Sequence, residues 1–531
     1  MTRDATPDRD WAEAHRYRDV PYDNGLDTYP TVLAALDDQA RRQPTASCLT
    51  TVAPDGSRTT VTFVEARDLS ERLAGWLARE CGLRPGDVIG LQPANDLPSA
   101  MAILAVLRTR AVCLLLSPHD PAGRVRAQLE SQQAVAVLRS PAVAGVAGIE
   151  AVELPAVRAL PDARLRSDGP PEPTDDALLF STSGSTTAAK VVAQSHRNAV
   201  TNAEAFRRHH RLEPGDRLLG FLPIYHVNGV HSTLLGPIVA GAQVILAHGL
   251  DPLGYPALLR SVRPRIASVV PSALEALLVT WRDGGLPPEF RYFLSAAAPL
   301  GAQTARDVYD QLGARIVQGY GLTETTNFAT TMPPDLTEDD YRRLMLDTDI
   351  PPIGVALHGN EVSVRNSTGE PVPAGTVGEI QVRGHNVMSR YAGNSEATAQ
   401  AFSGGWFHTG DLGMLRADPA TGREYVVITG RIKNMAKVRG EAVSLEEMER
   451  VLQAHPGVVD AACVATPDRL AGEQILVALV APEGVPSDLT DHLRQVFAEA
   501  ALPRRVVLVE AVPRTPTGKI RRPELPDLLG S

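Results

Sequence analysis

The sequence predicts an α/β fold with three parts: a large N-terminal domain of parallel-rich sheets and helices, a β-rich subdomain, and a small α+β C-terminal domain. Three observations predict it. From about residue 30 to 430, short β-rich runs alternate with Ala/Leu/Arg-rich helical patterns, as parallel strands joined by crossover helices require. Beyond Gly354 the pattern changes to short strands separated by Gly, Asn and Asp turns. The chain, at 531 residues, also exceeds what one hydrophobic core accommodates, so two or more domains are expected.

Taken in order, residues 1–29 read as a loose polar leader without the apolar core or cleavage signal of a secretory peptide. Residues 88–91, 112–116, 134–138, 244–246 and 266–270 are expected as buried strands, and residues 68–80, 122–132 and 303–312 as helices. The longest apolar stretch, 100–116, contains Arg108 and Arg110, so it reads as a buried helix running into a strand and not as a membrane span. Residues 333–352 are acidic, then helical, then stopped by Pro351-Pro352, which suggests an insertion lying over the surface. Hairpin strands are expected at 361–364, 378–382 and 424–428. The C-terminal unit should hold a helix at 445–454, strands at 458–465 and 475–480, and a helix at 488–500. This divides the chain into a leader (1–29), an N-terminal domain (30–432) and a C-terminal domain (433–531).

The formal net charge of −10 argues against a nucleic-acid or anionic-membrane surface. Arg207-Arg-His-His-Arg211, the densest basic cluster, is expected as the solvated end of a helix. Cys48, Cys81, Cys113 and Cys463 form no C-x-x-C pair, so reduced thiols in a cytoplasmic protein are expected and structural zinc is not. Only four of the 52 basic residues are lysines: Lys190, Lys433, Lys437 and Lys519. A lysine in so arginine-rich a chain suggests a site that needs a compact, mobile ammonium. All four fall in segments that read as phosphate chemistry. Lys190 closes Ser181-Thr-Ser-Gly-Ser-Thr-Thr-Ala-Ala-Lys190, a hydroxyl-rich loop after an apolar strand, whose N–H and O–H groups suit phosphate oxygens. The loop lacks Walker spacing.

Further motifs follow in order: Leu222-Pro-Ile-Tyr-His-Val-Asn-Gly229, Ser295-Ala-Ala-Ala-Pro-Leu300, Gln318-Gly-Tyr-Gly-Leu-Thr-Glu324, Gly378-Glu-Ile-Gln-Val-Arg-Gly384, Trp406-Phe-His-Thr-Gly-Asp411, the 430–449 block and the 513–521 segment. With the hydroxyl loop, this series resembles the adenylate-forming superfamily of acyl-CoA synthetases, aryl-CoA ligases, luciferases and stand-alone adenylation enzymes. The resemblance covers nearly all of the chain after residue 30.

The resemblance implies two half-reactions: a carboxylate attacks the α-phosphate of ATP to give an acyl adenylate and pyrophosphate, and a nucleophile then displaces AMP. It implies that Thr182, Ser183, Gly184, Ser185, Thr186 and Lys190 hold the β,γ-phosphates, that Thr323 donates to the α-phosphate, and that Glu324 is the Mg2+ ligand. Tyr320, with Ala298 nearby, would stack on adenine, and Asp411, helped by Arg431, would take the ribose hydroxyls. Lys519 would bridge carboxylate and α-phosphate. The small domain would rotate about Lys433, bringing Lys437, Arg439 and Gly440 in for the second step, although two lysines four apart also fit an ordinary helix face. His226 would border the acyl pocket and the phosphate, unless it is a satisfied core histidine. Asn228, Ala296, Ala297, Gly319 and Gly321 would line the pocket, the two alanines standing where glycine is common and so raising its floor. No Asp follows the fourth motif to hold a substrate ammonium, which disfavours an α-amino acid. The chain departs from the family pattern at Thr187, Ala189 and Val191 in the phosphate loop, and at Asn434, Arg390 and Leu445.

The expected function is therefore ATP-dependent activation of a small or aromatic carboxylic acid and transfer to the thiol of CoA or of a carrier-protein phosphopantetheine. The alternatives are a ligase with an amine or other nitrogen acceptor, and a degenerate nucleotide-binding partner. The expected partners are a small carboxylic acid and an acyl carrier protein as one of the possible thiol donors.

Overall fold

Two large sheets, of seven and nine strands, are built from residues 47–391. The computed structural model describes residues 9–163, 165, 169–182, 190–282, 284–439, 441–515 and 518–530. The first sheet has seven strands in the order Arg390–Tyr391, Val191–Ser195, Asp176–Ser181, Val112–Leu115, Val88–Gln92, Ala136–Arg139 and Val152–Glu153. The second has nine, from Val355–Ala356 through Phe328–Thr331, Arg315–Gly321, Tyr292–Ser295, Ile266–Val269, Arg217–Gly220, Gln243–Ala247 and Ser47–Val52 to Arg58–Thr62. The central pairings in both are parallel, as the alternation of strands and helices requires.

Helix ends follow local chemistry. Thr62 and Glu65 form a reciprocal cap on helix Phe63–Glu80, and Ser195 with Asn198 does the same for helix His196–His210. Helix Leu97–Arg108 is capped by Asp96 and buried on nearly every face, as an element packed on all sides must be. Its terminal Arg108 ends in a 2.6 Å ion pair with Asp37, so the apolar stretch is a core helix. Among the described residues no helix is long and apolar enough to cross a membrane.

A four-stranded antiparallel sheet (Asn360–Arg365, Gly378–Gly384, Phe407–Ala417, Glu424–Arg431) forms the β-rich subdomain. The C-terminal sheet joins Glu441–Ser444, Met435–Val438, Gly472–Val480 and Asp460–Asp468, with Arg505–Leu508 added on Gly472–Val480.

Four sequence expectations need correction. Residues 9–29 are not a loose leader: Trp11 donates to the Ser389 carbonyl at 2.8 Å, His15 is fully buried against Met388, and Thr201 donates to Asp27. Residues 333–352 do more than cover the surface, because Tyr341, Leu344, Met345 and Leu346 are buried in the core of the nine-stranded sheet. Their mixed polar–apolar order hid this inward face. The Arg207–Arg211 cluster does end a helix, yet His210 lies fully buried against Tyr292, and Arg207 and Arg208 both bond Glu204. The last expected helix stops at Arg494, followed by a short turn at Glu499–Ala501.

Candidate active site

The nine-stranded sheet and the four-stranded antiparallel sheet meet at one carboxylate. Asp411 sits on strand Phe407–Ala417 directly opposite Arg431 on its antiparallel neighbour. Only 1% of Asp411 is exposed, so both of its oxygens need partners. Arg431 Nε donates to Oδ1, and the Tyr320 hydroxyl donates to Oδ2 at 2.7 Å. Burial, and then the Asp411 charge, hold the Tyr320 phenol well above its ordinary pKa. Arg431 is pushed up despite its own desolvation, chiefly by the Asp411 charge.

Tyr320 is the penultimate residue of strand Arg315–Gly321, and the chain then turns through Thr323–Thr325. The glycines around Tyr320 allow close approach rather than flexibility. A Cβ at Gly321 would lie 1.6 Å from the Asn327 carbonyl oxygen, and one at Gly319 would lie 2.8 Å from the Phe328 ring. Gln194 fixes the turn, donating to the Thr323 carbonyl at 2.9 Å and accepting from His231 Nε2 at 2.8 Å. His231 and Asn228 share the π-helical turn Asn228–Leu235, the kind of irregular turn that clusters at functional sites. Glu324 follows Thr323. Its Oε1 accepts from the Tyr391 hydroxyl at 2.9 Å and its carbonyl from Met388 N–H at 2.7 Å. Among the described residues no group of three His, Cys, Asp or Glu side chains forms a cage for a metal ion. A single accessible carboxylate fits an ion that takes most of its ligands from phosphates and water, as Mg2+ does.

Lys519 arrives from the far end of the chain. Its hairpin is closed by Thr515 N–H to the Lys519 carbonyl at 2.8 Å. Arg514 braces it, bonding the Gly518 carbonyl and both oxygens of Asp460. Gly518 passes so close to the N-terminal domain that a Cβ there would lie 3.3 Å from Ser272 Oγ and 3.7 Å from Ala298 Cβ. The lysine is exposed, yet charged groups of the protein surround it. Desolvation first, then Arg431 and Lys433, hold its pKa below the ordinary lysine value, against the pull of Glu324 and Asp411. His226 is lowered to about 4 by burial and then by Lys519, so it is neutral at ordinary pH. Asn228 is buried and accepts a long 3.4 Å contact from Ser268. Ala296 is buried, and Ala297 adopts a left-handed φ of 74°, which explains why this position suits glycine.

The structure thus brings together Lys519, Lys433, Arg431, Asp411, Tyr320, Glu324, Thr323, His226 and Ala298. It does not bring Lys437 and Arg439 to them. Met435–Val438 pairs with Glu441–Ser444 as a hairpin, Arg439 sits near its tip at a φ of 52°, and Lys437 N–H donates to Glu473. Ser183, Gly184, Ser185, Thr186 and Gly440 lie outside the described residues, as do Thr187 and Ala189. Thr182 is described, and its N–H donates to the Lys190 carbonyl at 2.9 Å, closing the neck of that loop. The remaining departures have local reasons. Asn434 bonds Glu446, Leu445 is buried at the start of helix Leu445–Gln453, and Arg390 forms a two-pronged ion pair with Asp176. Sequence reading missed Gln194, His231 and Tyr391. Only Tyr391, an aromatic beside the unusual Arg390, gave any signal.

Comparison with known proteins places this geometry in context. Residues 36–392 match the family model described as AMP-binding enzyme, and residues 447–519 match that of the AMP-binding enzyme C-terminal domain. The chain is 34% identical to the sulfoacetate–CoA ligase of Cupriavidus necator over 71% of both proteins. It is 30% identical to a feruloyl-CoA synthase of Amycolatopsis, over 88% of this chain and 94% of that one. The crystal structure of ATP-bound MatB from Rhodopseudomonas palustris superposes with a TM-score of 0.81 at 26% identity, covering 94% of this chain and 98% of that one.

Proposed function

Because the chain belongs to the AMP-binding enzyme family, we propose that it uses ATP to activate a small or aromatic carboxylic acid and passes the acyl group to the thiol of CoA. The observation that carries this reading is the arrival of Lys519 beside Glu324, Asp411, Arg431 and His226. A single mobile cation among these groups suits a reaction in which two anions must meet.

In the first step a carboxylate oxygen bonds the α-phosphorus while the bond to the bridging oxygen breaks and pyrophosphate leaves. Lys519 neutralises the approaching carboxylate and α-phosphate, and the Thr323 hydroxyl donates to the same phosphate. Asp411 accepts the ribose hydroxyls with Arg431 holding its orientation, and the Tyr320 ring covers the adenine beside Ala298. Lys190, with the hydroxyl loop, holds the outer phosphates. Glu324 is the protein ligand for Mg2+, which when bound supplies positive charge to the phosphate oxygens. His226 stays neutral and borders the acid, so it adds no second cation to repel Lys519. Asn228, Ala296, Ala297, Gly319 and Gly321 form the acyl pocket. Relatives named for sulfoacetate and ferulate support an acid that is either small or aromatic.

In the second step the CoA thiolate attacks the acyl carbon and AMP leaves with the carboxylate oxygen it gained. Residues 433–531 turn about Lys433, withdrawing Lys519 and bringing in Lys437, Arg439 and Gly440. The present arrangement, with Lys519 beside Glu324, Asp411 and Arg431 and Lys437 on the hairpin of Met435–Val438 and Glu441–Ser444, is the one suited to the first step.

The experiment is acid-dependent pyrophosphate exchange across a panel of small and aromatic acids, followed by mass spectrometry with CoA, holo-carrier protein or amines. Acyl-CoA is the expected product. Exchange without thioester, but with an amide, would replace the acceptor in this reading. No exchange with any acid would overturn it.

A further inference from the structure

Tyr391 has no role in the account so far, yet it joins two groups that do. Its hydroxyl donates to Glu324 Oε1 at 2.9 Å, and the Lys190 ammonium lies over its ring, 4.5 Å from the centroid. Tyr391 is only 7% exposed.

The backbone around Tyr391 is tied down on every side. Strand Arg390–Tyr391 runs antiparallel to Val191–Ser195, with Tyr391 opposite Val192, two residues past Lys190. Ser389 N–H and Ala392 N–H bond the carbonyls of Ala193 and Val191 at 2.8 and 2.7 Å. One residue upstream, Met388 N–H holds the Glu324 carbonyl at 2.7 Å. Arg390 grips Asp176 at 2.9 and 2.6 Å, at the start of the strand Asp176–Ser181 that leads to Thr182. Residues 388–392 therefore hold the backbone and side chain of Glu324, both strands that bracket the hydroxyl loop, and the Lys190 ammonium.

We infer that Tyr391 is a positioning residue: one rigid ring sets the distance and orientation between the Lys190 ammonium and the Glu324 carboxylate before a nucleotide arrives. This rests on the reading of Lys190 as a phosphate group's partner and Glu324 as the Mg2+ ligand. A phenol can do both tasks at once, because its face attracts a cation while its edge carries a donor. The two tasks also separate chemically. Phenylalanine keeps the face and loses the donor; leucine loses both.

The test is calorimetric titration of the full-length protein with ATP, without acid, once in EDTA and once in saturating Mg2+. Thermal melting checks each variant's fold. Tyr391→Phe should leave the ATP affinity in EDTA within about twofold of wild type. It should cut the gain in affinity that Mg2+ gives by about tenfold, the worth of one hydrogen bond to a charged group. Tyr391→Leu should show the same loss and, in addition, bind ATP in EDTA roughly 2- to 5-fold more weakly as Lys190 loses its seat. Two controls separate this proposal from the reading beneath it. Glu324→Gln should abolish the Mg2+ gain, and Lys190→Ala should weaken binding in EDTA. If the controls behave so and both Tyr391 variants match wild type, the positioning role is overturned while the site stands. If Phe and Leu lose affinity equally in EDTA and Mg2+, with lowered melting temperatures, Tyr391 is a packing residue and the proposal fails. If the controls themselves change nothing, the reading of Lys190 and Glu324 fails and takes the proposal with it.

Discussion

Replacing Lys519 with methionine removes one charge while keeping a flexible stem of similar bulk. The charged groups that face it are Arg431 and Lys433 on one side of the balance and Glu324 and Asp411 on the other. These four cancel, so in the proposed first step Lys519 supplies the net positive charge that meets the reacting anions. At about 4 Å and an effective dielectric of about 20, one such pair is worth roughly 4 kcal/mol. That is about a 10³-fold loss in the rate of adenylate formation. The assay is pyrophosphate exchange, with single-turnover quench and mass spectrometry to count adenylate. Conversion of preformed acyl adenylate to thioester should survive, since in the proposed scheme Lys519 serves only the first step. The depressed lysine pKa adds a second readout: the active, protonated form is lost as pH rises through a value below that of an ordinary lysine. Wild-type adenylation should therefore show an alkaline decline that the methionine variant lacks. Exchange within tenfold of wild type, or an unchanged alkaline limb, would refute the assignment.

Four further outcomes are expected. Asp411→Asn should keep an acceptor for Tyr320 but weaken ATP binding by about 10- to 100-fold, as losing a charge-assisted pair implies; unchanged ATP affinity by calorimetry would make Asp411 structural. Ala297→Gly should relieve the left-handed backbone at φ 74° and stabilise the fold by a net ~0.5–1 kcal/mol, after the added entropy of the unfolded chain; a lower melting temperature contradicts this. His15, His196 and His385 are each lowered to about 4 by burial, and His231 to about 3, so the native state resists protons that the unfolded state accepts. Stability should thus fall as pH drops from about 6.5 toward 4, each histidine adding up to ~1.4 kcal/mol per pH unit, and a flat melting temperature from pH 7 to 5 would exclude it. Lys437→Ala should accumulate adenylate and stall thioester formation, and Lys433→Pro should do the same by blocking the turn; equal loss of both steps in both variants would remove the two-conformation reading.

The parallel architecture was legible because buried strands such as Val112–Leu115 are short, continuous apolar runs, and their length separates them from the longer helices between. The site was legible where a motif carries its own chemistry, as in Gly319-Tyr-Gly321 and Thr409-Gly-Asp411. What the sequence concealed depends on contacts between distant segments. Trp11 and His15 are anchored to carbonyls at 388 and 389, more than 370 residues away, and nothing in a polar N-terminal stretch announces that. His210 reads as part of a solvated basic run, and packing against Phe206 and Tyr292 makes it a core residue. Gln194 and Tyr391 bond a carbonyl and a carboxylate that the turn Thr323–Thr325 presents, so their value lies in where the fold places them rather than in residue type.

The central claim is that the acid's own oxygen is transferred to the α-phosphate and that the acyl group ends on a thiol. Acid labelled with 18O in both carboxylate oxygens, turned over once with ATP and CoA, tests it in one spectrum. The account predicts one 18O in AMP and one in the acyl thioester, with none in pyrophosphate. Label in ADP or inorganic phosphate, or AMP without label, would contradict it.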